Sequence, residues 1–383
     1  VKSRIAAIDA LRGFALVGIL LINITEMGGP IDADHPASAP SLLDGDWQVW
    51  WAANLFVNGA FRGLFSMLFG ASTLLFLREG AREAAFLRRC AWLFVFGLVN
   101  ETALLWPGDI LVIYALAGPA LLLFRNAEPR YALYAAAILL FVLALWPYLV
   151  PHGSSVAGSA GEQAAALAAE RSARLGSYGD TLGFMLRTAW DWTYTPKFLW
   201  WILDAMAFML IGMALHRFGV FSATARTGTY ALFAFAGFGI GLPLRGWLAW
   251  QAFHNGGDFP LMADATFQFG RLLMTFGWLG AFMLVWKSTP WRILFAPLSA
   301  LGRMALTGYL LQSALAAFLF SGFGLGLWGA FNGPQMWALV PLIMAVIALF
   351  SMAWLSRFQM GPTEWLWRAL IFWTPPPLLK AAA

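Results

Sequence analysis

"IDALRGFALVGILLIN", residues 8–23, opens with an acid and a base, runs uncharged from Gly13 to Ile22, and stops on an amide. With its flanks it forms an apolar segment over 5–27. At 1.5 Å per helical residue that is enough to cross about 30 Å of hydrocarbon. Nine more segments of this kind follow, at 48–77, 87–106, 108–124, 131–150, 197–216, 228–250, 264–286, 297–320 and 335–355. Helices are the expected form because each satisfies its own backbone in lipid. The sequence therefore predicts an all-α polytopic bundle of about ten spans, a single integral membrane domain over 1–383.

The composition agrees. The chain is 61% hydrophobic and 11% charged, against about 25% charged in ordinary soluble domains. The formal charge of +5 does not indicate nucleic acid. With the N-terminus in the cytoplasm, all basic residues except Arg62, Arg171, Arg174, Arg187, Lys197, Arg245 and Arg271 fall at cytoplasmic ends and loops. This is the positive-inside pattern, and an even number of spans places both termini there. Lys2 and Arg4 ahead of an apolar core resemble a signal peptide. No small-residue cleavage pattern follows, so the first span is expected to be retained. The single cysteine, Cys90, allows no intrachain disulfide and reads as a small buried hydrophobe.

Two external segments stand out. Residues 26–46 are rich in acids and prolines. Residues 151–196 form the longest hydrophilic stretch, with an Ala-rich "GEQAAALAAERSARLG" expected to be a surface helix. At the other end of the chain, 361–374 reads as a short amphipathic cytoplasmic helix, started by Pro362 and stopped by a proline run.

Polar groups at bilayer depth are candidates for function. Asp9 and Arg12, three apart, can pair. Asn23 lies about three turns beyond Arg12 and returns to the same face, which suggests a helix lining a path. The alternative is an anchor pair plus an amide bonding a neighbouring helix. In the second span Asn54, Asn58, Arg62 and Ser66 recur every four residues. Arg62 needs a partner, and Asp204 and Asp109 are the candidates. Arg271 is another intramembrane base. Either these groups make a structural ion pair or they line a polar cavity suited to an anionic or phosphorylated ligand, since guanidinium binds phosphate bidentately. Asp109, in "WPGD", can cap the next helix. The four histidines, His35, His152, His216 and His254, show no metal-ligand spacing on a helix, so no metal site is expected.

Several stretches, taken in order, resemble the YeiB-like family of bacterial multispan proteins: "IDALRGFALVGILLINI" (8–24), "FRGLFSMLFG" (61–70), "LLWPGDILVIYALAG" (104–118), "LGRMALTGYLLQS" (301–313) and "GPTEWLWR" (361–368). That family looks like a branch of the transmembrane acyltransferase superfamily, which includes the lysosomal heparan glucosaminide N-acetyltransferase. The resemblance implies a multi-pass protein of the bacterial inner membrane. Such a protein would take an acyl group from cytoplasmic acyl-CoA and pass it to a glycan, lipid or small metabolite outside. By the same resemblance Asn23 matches an amide beside the reaction centre, and His35 falls near the position of a reactive histidine. The family commonly has histidine at Asn100, lysine at Ala60 and asparagine at Gly308. The expected roles are catalysis by His35, Asn23 and Asp109, acyl-CoA contact by Arg12, Arg62 and Arg303, and acceptor contact by Asn58, Asp204 and Arg271. The partners expected are the lipid bilayer and the acceptor, with room for a homo-oligomer. The other readings are a transporter or flippase for an anionic or amphipathic solute, and a non-catalytic binding protein.

Overall fold

The computed structural model describes residues 5–31, 35–78, 82–150, 160–288 and 292–380. Among these the fold is all-helical, with no strand beyond an isolated bridge between Phe358 and Leu379. His152 and the start of the external segment, 151–159, lie outside the described residues.

The first span is α1 (Ala6–Gly28). The expected second span is a broken rod. It comprises α2 (Gly45–Ala52), one π-helical turn (Ala53–Val57), a non-helical step at Asn58–Gly59, and α3 (Ala60–Arg78). Next come α4 (Glu83–Thr102), α5 (Ile110–Ala117) with a 3-10 extension to Phe124, and α6 (Pro129–Leu149). The segment expected to be external holds two helices, α7 (Ala160–Arg174) and α8 (Tyr178–Thr193). The chain then crosses back and forth in α9 (Pro196–Arg217), α10 (Thr227–His254) and α11 (Leu261–Ser288). It continues in the short α12 (Ala296–Arg303), α13 (Ala305–Phe320), α14 (Gly333–Arg357) and the tail helix α15 (Pro362–Phe372). We call the face where α1 begins proximal and the opposite face distal.

Among the described residues seven helices are long and apolar enough to cross a membrane, counting the broken α2–α3 rod once, and the α12–α13 pair makes an eighth if its 89° bend lies within one span. Two of the ten expected spans fall short of that standard. The α4 helix carries Glu83, Arg88, Arg89 and Glu101, and Ile110–Phe124 is a shorter apolar helix. Outward faces are greasy, as in Phe141, Leu232, Phe235, Ile240, Leu342 and Leu349, which is what lipid contact requires.

Two helix pairs approach so closely that only glycine fits. A Cβ on Gly13 would stand 2.0 Å from the Leu298 carbonyl oxygen, and one on Gly302 would stand 1.8 Å from that of Asp9, so α1 and α12 touch backbone to backbone. Gly70 and Gly212 hold α3 and α9 together in the same reciprocal way. Small residues at such crossings allow van der Waals contact that lipid tails cannot better.

Buried helix ends need partners for their free carbonyls or amides. At the distal end of α1 the Arg174 guanidinium donates to the Glu26 and Met27 carbonyls, and Trp328 Nε1 donates to Gly29 O at 2.9 Å. Burial pushes Arg174 down to about 10, while Glu170 and Glu26 pull it back up. The α7 helix is thus bolted to the first span. Arg174→Met is expected to lower stability by about 2 kcal/mol, read from the denaturant midpoint at unchanged slope.

At the proximal face Glu364 of the tail accepts from Leu306 N (2.7 Å), Thr307 N (3.0 Å) and the Thr307 hydroxyl (2.5 Å). It caps the start of α13 just after the 89° bend. Trp367 Nε1 donates to Arg89 O at 3.0 Å and Arg88 Nε to Ile371 O at 2.7 Å, pinning α15 to α4. Glu364→Ala is expected to cost about 2 kcal/mol, as loss of a helix cap does, and to open 361–372 to limited proteolysis.

Burial pushes the Glu364 carboxyl above its ordinary 4.5, against the pull of its Thr307 and backbone donors. A raised carboxyl favours the neutral form in the fold. Its contribution is therefore whole below the ordinary value and is lost as pH rises through the raised one. The tail should resist protease better at acidic than at alkaline pH, and Glu364→Gln should flatten that difference.

Candidate functional site

The step at Asn58–Gly59 organises the most highly charged part of the interior. Gly59 has φ +72°, and a Cβ there would stand 2.1 Å from Arg271 Cδ. The break therefore admits the Arg271 side chain, which is wholly buried. Arg271 embraces Asp204 with both terminal nitrogens, at 2.9 Å on Oδ2 and closely on Oδ1, and also donates to Gln268 Oε1 at 2.5 Å. Arg62, one turn into α3, reaches the same carboxylate at 3.2 Å. Of the two partners considered for Arg62, the structure selects Asp204. Trp200 lies under both guanidiniums, 5.8 Å from Arg62 and 5.5 Å from Arg271.

A third arginine joins them. Arg245 of α10 is 3% exposed, donates to the Asn54 carbonyl from Nε, and stacks on Phe267 at 5.2 Å. Two guanidiniums thus share one carboxylate, and a third lies close by on the Asn54 carbonyl. From the distal ends of α9, α10 and α11, Asp204, Arg245 and Arg271 lie about 12–15 Å deep along their helices. An unpaired arginine at such depth costs at least ~2.5–3.5 kcal/mol on insertion scales.

The expected polar stripe on the second span is cut by the break. Asn58 still donates to Asn54 Oδ1 at 3.2 Å, and Asn54 to Trp50 O at 3.0 Å. Ser66 returns to Arg62 O and meets the Tyr114 hydroxyl at 2.7 Å.

A second polar group forms where α4, α5 and α13 meet. Asp109 caps α5, accepting from Val112 N at 2.8 Å, and its other oxygen takes the Asn100 amide at 2.8 Å. Tyr309 accepts from Ile110 N at 3.2 Å. Both Asp109 oxygens are occupied in this arrangement, so its first role is structural.

Arg12 pairs with Asp9 at 3.4 Å, as the spacing predicts, and also binds Gly302 O at 3.1 Å and Ser72 Oγ at 3.0 Å. Asn23 lies on the Arg12 face of α1, half-buried, and its amide makes no hydrogen bond with any described residue. His35 is held elsewhere at the distal face. Its ring stacks on Trp47 (6.2 Å), Nδ1 bonds Pro36 O at 2.9 Å, and Nε2 lies 4.0 Å from Asp258. A proton on Nδ1 satisfies the Pro36 carbonyl and leaves the Nε2 lone pair free. Arg303 donates to Gln359 O at 3.1 Å, tying the α12 end to the tail.

The structure therefore brings Arg62, Asp204, Arg271 and Asn58 around one helix break. It places Asp109, Asn23, His35, and Arg12 with Arg303 in other neighbourhoods. Among the described residues no cluster of three His, Cys, Asp or Glu side chains could hold a metal.

Sequence reasoning passed over Arg245, Trp200 and Glu364. Arg245 carried the same signal as Arg271, a base deep in an apolar helix. It also passed over a cavity of about 560 Å³ on the proximal face, lined by Leu74, Leu77, Arg82, Glu83, Ala84, Arg125 and Asn126. A smaller one of about 290 Å³ adjoins it and adds His216 and Arg217.

No solved structure matches the chain. Residues 215–374 match the family model described as a protein of unknown function, DUF418. The chain is 28% identical to the uncharacterized protein YxaH of Bacillus subtilis, over 99% of this chain and 97% of that one. It is also 28% identical to the uncharacterized protein YeiB of Escherichia coli, over 98% of both chains. A third relative, an uncharacterized 39.9 kDa protein of Bacillus acidopullulyticus, is 27% identical over 98% of this chain and 96% of its own. Collinear likeness over nearly the full length, the matched region and the apolar helical bundle agree: the chain is similar throughout to YeiB, YxaH and their uncharacterized relative, and carries the DUF418 region over 215–374.

Proposed function

We propose that the protein is an acyltransferase of the bacterial inner membrane, with ten spans and both termini in the cytoplasm. It moves an acyl group from cytoplasmic acyl-CoA to an acceptor on the outer side. The observation that carries this reading is the Asn23 amide, unpartnered on a helix face that starts at Arg12 on the proximal side. A free amide donor there suits the oxyanion of a thioester under attack. The basic proximal cavity, with Arg82 and Arg125 on its wall, suits the phosphates of the acyl donor.

The acceptor hydroxyl or amine adds to the thioester carbonyl, whose oxygen becomes an oxyanion held by Asn23 Nδ2. The carbon–sulfur bond then breaks, and CoA leaves as the thiol form after taking a proton. The acceptor's proton passes to water at the distal side, since His35 sits on Trp47 and beside Asp258 away from Asn23. The test is purified protein incubated with labelled acetyl-CoA and candidate envelope glycans. Free thiol and labelled acceptor are expected together, and neither appearing with any acceptor would reject the reading.

A second reading, a carrier for an anionic solute, is supported by the two breaks, at Asn58–Gly59 and at Met304, since discontinuous helices line many transport sites. Flux of a labelled anion into proteoliposomes without any acyl donor would favour it.

A further inference from the structure

The two breaks are treated differently by the chain. At Met304 the start of α13 receives a carboxylate from the protein itself, Glu364, bonded to two backbone amides and a hydroxyl. At Asn58–Gly59 the start of α3 receives no carboxylate from the described residues. It is surrounded instead by Arg245 on the Asn54 carbonyl, Arg271 against Gly59, and Arg62 within its first turn. Among the described residues the one acid that pairs with any of these three is Asp204, which takes Arg62 and Arg271 and leaves Arg245 on a carbonyl. The positive end of the α3 dipole points at the same place.

One N–H from each guanidinium is buried with no partner: Arg245 Nη1, Arg62 Nε and Arg271 Nε. Arg245 is 3% exposed and Arg271 wholly buried, while the Arg62 side chain is 30% exposed and opens the group on one side. We propose that this is a binding site for a phosphate group, either free or carried as a lipid monoester. Three cations less one carboxylate leave an excess of two charges. A phosphate monoester carries about −1.5 to −2 at neutral pH and offers oxygens to all three free donors. Guanidinium and helix amino ends are the groups that recognise it. The site is argued from the three arginines and not from acyl transfer, and failure of the acyl assay leaves it untouched.

The test uses the full chain in phosphatidylcholine nanodiscs. Its unfolding midpoint is followed as inorganic phosphate replaces chloride at constant ionic strength. Phosphate is expected to raise the midpoint of the wild type by mass action, and Arg245→Gln to weaken the apparent affinity at least ~10-fold, about 1.4 kcal/mol. Should Arg245→Gln fail to fold, Arg245→Lys keeps the charge and loses the planar fork. It is expected to fold normally with a several-fold weaker response.

Phosphatidic acid in the disc is expected to compete with free phosphate if the occupant is lipid-borne and to leave the response intact if it is soluble. Equal phosphate responses in wild type and both foldable variants would overturn the proposal. So would no response to phosphate or phosphatidic acid at all.

Discussion

Asp204→Asn is expected to destabilise the protein by about 3–5 kcal/mol, the usual result of removing one partner from a buried ion pair. Asp204 is the shared acid of Arg271 and Arg62, and its side chain is 3% exposed. An asparagine there keeps the shape and one acceptor but removes the charge. The wholly buried Arg271 and the partly exposed Arg62 are then left without their acid, beside the buried Arg245. The loss should appear as reduced folded yield and a lower unfolding midpoint. Arg271→Gln alone should also destabilise, but the double variant should lose less than the sum, because residues in one ion-pair network do not act additively. Additive losses would mean that Asp204 stabilises the bundle by some route other than this pair.

Asn23→Ala is expected to lower the rate of acyl transfer by about 10²–10³-fold, the range seen when one oxyanion donor is removed. Stability should change little, because the amide bonds no described residue. Asn23→Asp should fail equally, since a carboxylate presents an acceptor where a donor is needed. The informative split is between kcat and KM. A donor used only in the transition state lowers kcat and leaves KM for acetyl-CoA near its wild-type value. A rise in KM alone would make Asn23 a ground-state contact.

How much of this the sequence disclosed depends on the range of the interaction concerned. Apolar length is local, so the membrane-spanning character was legible at once. So was the Asp9–Arg12 pair, whose i, i+3 geometry is set by one helix. The Asp109 cap followed from "WPGD" in the same way. The break at Asn58–Gly59 was not read. An i, i+4 polar pattern looks like an unbroken face, and nothing nearby shows that Gly59 must take φ +72° to admit Arg271 from 212 residues away (271 − 59). The choice of Asp204 over Asp109 for Arg62 was likewise a matter of helix packing. The cap that Glu364 places on α13 joins a tail to a span more than fifty residues earlier, and only the 89° bend makes that end available.

His35 shows the opposite case. A loop histidine twelve residues beyond Asn23 could have folded back over the first span. Its ring instead lies on Trp47 and beside Asp258, in the aromatic cluster of Trp47, Trp50 and Phe253. Aromatic stacking and the close approach of Gly257, where a Cβ would stand 2.3 Å from the His35 ring, set its position. His35→Ala should therefore loosen that cluster as well as remove a base, whereas His35→Gln keeps a polar side chain of similar reach. A transfer defect in both variants would put the base at His35 instead of water.

Transfer across the membrane is what separates this account from a soluble-style enzyme or a passive carrier. The most direct measurement uses sealed, oriented proteoliposomes, with labelled acetyl-CoA only on the cytoplasmic side and acceptor only on the other. The account predicts label on the enclosed acceptor with free CoA thiol remaining on the donor side, and neither product with Asn23→Ala. Acceptor crossing unmodified, or thiol release that ignores the acceptor, would contradict it.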